Sequence, residues 1–150
     1  MEVAMSDLQQ LLTYQNVTKG ELISYILNVC DSIEIMATNF LYHGDLHIGN
    51  IFLVKRNTTI KAVVGDFGES EFITSHLQDM KLFISSLSSG IIFALNTSLL
   101  ENKLSVLMKH ISRQIVITQN EYEIDLQKEK IRHLVSRDMD IIKDIVQGIF

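Results

Sequence analysis

The sequence predicts an α+β fold, mainly α with one small β-hairpin. Three observations carry this: apolar residues recur at helical spacing over most of the 150 residues, the only β-rich runs lie close together at 51–54 and 60–64, and 47% of the residues are hydrophobic. A chain of this length buries about 68–70% of its extended surface, enough for one core. One domain over 1–150 is therefore expected. Its parts are a lead-in segment with a short helix (1–17), a helix, loop and hairpin (18–81) and a helical subdomain (82–150).

The elements follow in order. Thr18-Lys19-Gly20-Glu21 has capping-box spacing, and Leu22, Ile26, Val29, Ile33, Met36 and Phe40 then repeat every three or four residues as one apolar stripe. This long amphipathic helix delivers the chain to His43. Ile51–Val54 and Ile60–Val64 are strands, with Lys55–Thr59 as the polar turn between them. An antiparallel hairpin brings its two ends together, so Asn50 and Asp66 are expected at the same end of one ribbon.

From Leu82 to Leu100 no residue is charged. Such a run invites a membrane-spanning reading, but Ser85, Ser86, Ser88, Ser89, Gly90, Asn96 and Thr97 interrupt it, and a helix buried on all sides in the core is the expectation. The rest forms closing helices, on Leu104, Leu107, Met108 and Ile111, then Ile124, Ile131, Leu134 and Val135, then Ile141, Ile142, Ile145 and Val146. Asn120-Glu121 marks a break between them.

The chemistry concentrates in 43–69, HGDLHIGNIFLVKRNTTIKAVVGDFGE. Phosphoryl transfer needs a carboxylate that orients the incoming hydroxyl and hard oxygen ligands that hold Mg²⁺ on the nucleotide phosphates. Asp45, Asn50 and Asp66 supply those groups. His43 to Asn50 fits the pattern H-x-D-x-x-x-x-N, with Gly44 where many kinases have Arg and His47 where serine/threonine kinases usually have Lys.

On these residues the chain resembles the protein kinase family, specifically its C-terminal lobe, over about two thirds of its length. The resemblance implies that Asp45 is the catalytic aspartate, with His47 beside it in the catalytic loop. It implies that Asn50 and Asp66 are the magnesium ligands, that Phe67 and Gly68 complete a D-F-G triplet, and that Phe52 or its neighbour Ile51 floors the adenine pocket. ATP and Mg²⁺ are the implied cofactors. Met1–Met5 followed by Ser6–Leu12 resembles a kinase hinge and the short helix after it, and Asp79 resembles the buried aspartate that opens the lobe's central helix and braces the catalytic loop. His43 is expected to pack rather than react, Glu69 and Glu71 to be solvated, and Arg137 to pair within the last helices.

The departures matter as much. The seven glycines contain no G-x-G-x-x-G, and the only lysine ahead of the loop is Lys19. The N-terminal lobe is therefore expected to be missing. With no proline in the chain, no Ala-Pro-Glu motif closes an activation segment, and the peptide-docking platform is expected to be minimal. The first reading is an ATP-dependent protein kinase-like phosphotransferase of the serine/threonine type, weak alone. The second is a non-catalytic lobe mimic that binds or regulates another kinase. The third is a small-molecule, aminoglycoside-type phosphotransferase, suggested by His47.

Expected partners are a protein substrate or a partner kinase. A net charge of −5 argues against nucleic acid, which calls for a basic face. No membrane partner is expected. Cys30 is the only cysteine, so no internal disulfide forms. With no basic-then-apolar leader visible, a reducing, cytoplasmic location is the expectation.

Overall fold

The computed structural model describes residues 4–14, 17–65, 76–95, 98–122 and 128–149. Among these the fold is α+β: strand β1 (Ala4–Asp7), helix α1 (Leu8–Tyr14), helix α2 (Lys19–Thr38), strands β2 (Ile51–Arg56) and β3 (Thr59–Val64), then helices α3 (His76–Leu95), α4 (Ser98–Tyr122) and α5 (Lys128–Ile149).

Helix α2 starts where its cap predicts. Thr18 Oγ1 accepts the Glu21 N–H at 3.1 Å, supplying one of the first-turn amides with the acceptor that the helix cannot. The helix ends at Thr38, two residues before the expected stripe does. Phe40 lies in the left-handed region at φ 59° and belongs to the cap. Its N–H donates to the Ala37 carbonyl and the Leu41 N–H to the Met36 carbonyl, the paired bonds of a Schellman ending. Arg132 of α5 covers this cap, with its guanidinium 5.2 Å from the Phe40 ring and Nε donating to the Thr38 carbonyl. Further along, Lys143 ties α5 to Asp31 and Glu34 of α2.

The hairpin exists, and it is tighter than the sequence suggests. Its strands run to Arg56 and start again at Thr59, so the expected turn over 55–59 shrinks to Asn57-Thr58. Asn57 takes φ 56°, a conformation asparagine tolerates better than most residues. The flanking polar residues belong to the strands because that end of the ribbon faces solvent. The start of the chain adds something the sequence did not suggest: β1 pairs antiparallel with β2, Asp7 opposite Phe52, giving a sheet in the order β1-β2-β3.

One apolar cluster runs through the molecule, joining Leu8, Leu22, Ile26, Ile51, Phe83, Leu87, Leu107 and Val135 among others. Helix α2 packs on α5, α3 and β3, and α4 packs on α3 and α5. Three expectations need correction. Helix α3 is not buried on all sides: Lys81, Leu82, Ser85 and Ser89 are exposed, because its neighbours α1, α2 and α4 leave one face to water. Ile141 is likewise exposed, since the buried face of α5 is set by Leu134, Val135, Met139, Ile142 and Val146. The break expected at Asn120-Glu121 falls within α4, which continues to Tyr122. Ile124, also assigned to the closing helices, lies outside the described residues. Among the described residues no helix is long and apolar enough to cross a membrane.

Candidate active site

The loop from Tyr42 to Asn50 joins α2 to β2 and is stapled to α3 from one side. Asp79, in the first turn of α3, accepts the His43 N–H on Oδ2 at 2.8 Å and the Gly44 N–H on Oδ1 at 2.9 Å. Two turns further along, Ser86 Oγ accepts the Ile48 N–H at 3.0 Å while donating to the Phe83 carbonyl. Positions seven apart lie on one helix face, so one stripe of α3 holds both ends of the loop. Gly90 extends that stripe: a methyl group there would come within 2.7 Å of Ile48 Cδ1, so its absence lets helix and loop approach. Burial pushes the Asp79 carboxyl above its ordinary range, against the opposing pull of the two amide hydrogen bonds.

Inside the loop each polar group has a task. His43 is buried. Its Nδ1 accepts the Asp45 N–H at 3.2 Å and its Nε2 meets the Gly65 carbonyl at 2.8 Å, a pattern that assigns the proton to Nε2. Gly44 adopts φ 87°, which glycine takes without strain and a side chain at that position does not. The tight turn throws Asp45 outward, its side chain 62% exposed.

Asn50 is buried. It donates Nδ2–H to the Asp45 carbonyl at 2.8 Å, which fixes its rotation and leaves the Oδ1 oxygen uncommitted among the described residues. That is the donor type a hard cation such as Mg²⁺ takes, so Asn50 fits the role of ligand. Its own carbonyl accepts the Gly65 N–H at 2.9 Å, so the hairpin does return the chain to Asn50. Asp66, Phe67, Gly68, Glu69 and Glu71 lie outside the described residues.

His47 caps the short turn Ile48–Asn50, its Nδ1 accepting the Gly49 N–H at 3.0 Å. The neutral ring therefore carries its proton on Nε2, 3.9 Å from Asp45 Oδ2. A single atom between them could touch both. Beside His47 opens a cleft of about 530 Å³ lined by Gln9, Thr13, His47, Ile48, Ser86, Ser89 and Gly90. Among the described residues no carboxylate, lysine or arginine lines it. Of the two residues named for the adenine floor, Ile51 is wholly buried in the core and contributes no surface. Phe52 is half-buried, its ring against Gly65.

No family model and no solved structure matches the chain. Over 70 residues, 47% of its length, it is 31% identical to a protein of Acanthamoeba polyphaga mimivirus named "Putative serine/threonine-protein kinase L673". The chain is similar to a kinase-named protein over that stretch. The match spans 12% of that relative's length.

The sequence reading missed a second polar cluster, behind α3. Asp138 of α5, fully enclosed, accepts His76 Nε2–H and Thr118 Oγ1–H on Oδ2, each at 2.8 Å. Its Oδ1 accepts Gln114 Nε2–H at 2.8 Å and Arg137 Nη2–H at 3.1 Å. Burial alone would raise this carboxyl, but the His76 and Thr118 hydrogen bonds outweigh it and hold Asp138 below the ordinary range. A signal was available: Asp138 occupies the same helical stripe as Leu134, Val135, Met139 and Ile142, and an acid on an apolar face needs buried partners.

Proposed function

We propose that this chain is the C-terminal lobe of a protein kinase-like phosphotransferase that moves the ATP γ-phosphate to a serine or threonine hydroxyl. The observation that carries the reading is the loop itself. Asp45 stands exposed on a turn whose backbone is held by Asp79, and Asn50 is locked with its side-chain oxygen uncommitted among the described residues, beside the end of the hairpin at Gly65. Among the described residues a carboxylate for the acceptor, Asp45, and one oxygen ligand for a cation, Asn50, stand on the same loop.

In this mechanism Asp45 accepts or orients the acceptor hydroxyl proton. His47 Nε2–H, 3.9 Å away, donates to an oxygen arriving between the two side chains. Asn50 and Asp66 would hold Mg²⁺, which when bound neutralises charge on the β- and γ-phosphates. The neighbouring cleft receives the segment around the acceptor, and the polar but uncharged side chains among its described lining residues suit a neutral flanking sequence. Rate enhancement then rests on positioning and charge neutralisation.

A second reading, a lobe that docks on another kinase without catalysis, draws support from Met5 on β1, 60% exposed. Titration of the purified chain with Mg-ATP, followed by radiolabelled transfer to a serine-rich protein, separates the two. Saturable binding and transfer, both abolished in Asp66→Ala, with transfer alone lost in Asp45→Ala, is the expected result. Absence of binding and transfer, together with tight association with a kinase, leaves the docking module.

A further inference from the structure

We infer that His76 and Asp138 are positioning residues: by anchoring the first turn of α3 in a buried cluster, they hold Asp79 where it grips the 43–50 loop. His76 opens α3, and Asp79 follows one turn later on the same side of the helix. The first turn of a helix has the fewest internal hydrogen bonds and opens most readily. In α3 that turn is clamped at both ends. His76 Nε2 is joined to Asp138 Oδ2 at 2.8 Å, and Asp79 takes the amides of His43 and Gly44. Release of His76 frees the turn to unwind, and Asp79 moves with it.

Core filling does not explain the pair. His76 is fully enclosed, yet its Nδ1 has no hydrogen-bond partner among the described residues, an arrangement that costs stability. Leucine would occupy the space without that cost. Replacing buried polar pairs with apolar groups often stabilises a protein, and their best-attested use is to fix one arrangement against its alternatives. Asp138 draws donors from α3, α4 and α5 onto one carboxylate, so the register of three helices is set at the point from which Asp79 reaches the loop.

The consequence for phosphoryl transfer rests on the function proposed above, but the coupling can be read without activity. Site-resolved amide exchange by NMR would compare the full chain with His76→Leu, His76→Gln and Asp138→Asn. In His76→Leu the amides of His43 and Gly44 should exchange about tenfold faster, while core amides of α2 such as Ile26 and Val29 keep their protection. His76→Gln, whose side-chain amide can donate from nearly the same place as Nε2, should restore protection. If His76→Leu does not fold, Asp138→Asn carries the same expectation. Unchanged exchange at 43 and 44, or an equal rise at every amide, would overturn the inference. Selective exchange in a chain that neither binds Mg-ATP nor transfers phosphate would sink the catalytic reading and leave the coupling standing.

Discussion

Asp79 Oδ2 lies 2.8 Å from the backbone nitrogen of His43, a residue 36 positions earlier. The contact converts the start of α3 into the foundation of the 43–50 loop, because the other carboxylate oxygen takes the next amide at the same time. Charge-assisted hydrogen bonds of this kind each contribute about 1.5–3 kcal/mol. Asp79→Ala should therefore lower stability by about 3 kcal/mol, with both amides left without an acceptor. A urea melt followed by circular dichroism measures the loss. A change below about 1 kcal/mol would show that the loop holds its shape unaided.

Cys30 offers an internal probe of opening. Its side chain is wholly enclosed, with the sulfur 3.9 Å from Met80 Sδ, and burial pushes the thiol up to about 12. The thiolate is the reactive form, so the native protein should resist a disulfide reagent at mildly alkaline pH while the urea-unfolded chain labels promptly. The native labelling rate then reports the opening that exposes α2. Labelling as fast as in urea would contradict the packing of α2 against α3.

What the sequence made legible was what local chemistry dictates. Thr18 and Glu21 announce the start of α2, and the β-branched runs flanking Asn57 announce the hairpin. The H-x-D-x-x-x-x-N spacing picks out a loop in which Asp45 and Asn50 do meet, through the Asn50 Nδ2–H bond to the Asp45 carbonyl. Contacts set by tertiary packing were harder to read. Ser86 reads as an interruption of an apolar run, yet its hydroxyl is an acceptor placed one helix stripe along from Asp79. His76 and Asp138 stand 62 residues apart, and neither has a local motif. The β1 strand is only four residues long and carries no β-branched residue, so only its partner β2 defines it.

The two buried aspartates predict opposite responses to acid. The Asp138 carboxyl is held below the ordinary value of 3.8 in the fold. Its stabilising contribution is present above that value and is lost as pH falls through the folded-state value. Asp79 is raised above 3.8, so its contribution is full below the unfolded value and is lost as pH rises through the folded one. Unfolding midpoints measured between about pH 2.5 and 6 should show a smaller acid loss in Asp138→Asn and a larger one in Asp79→Asn than in the parent. Parallel curves for all three would mean that neither carboxyl changes its proton affinity on folding.

Ser86 supplies the last test, because it separates the far end of the loop from the near end. Its hydroxyl accepts the Ile48 N–H at 3.0 Å and passes its own hydrogen to the Phe83 carbonyl at 2.9 Å. Ser86→Ala removes the acceptor while keeping the helix, since alanine is the better helix former by a few tenths of a kcal/mol. An amide left without an acceptor costs about 1–3 kcal/mol, which outweighs that gain, so a net loss of about 1–2 kcal/mol is expected. Ile48 lies between His47 and Asn50, and loosening it should reduce phosphoryl transfer more than Mg-ATP affinity if His47 orients the acceptor. Equal losses in both would place the role of Ser86 in the cation site at Asn50 rather than beside the acceptor.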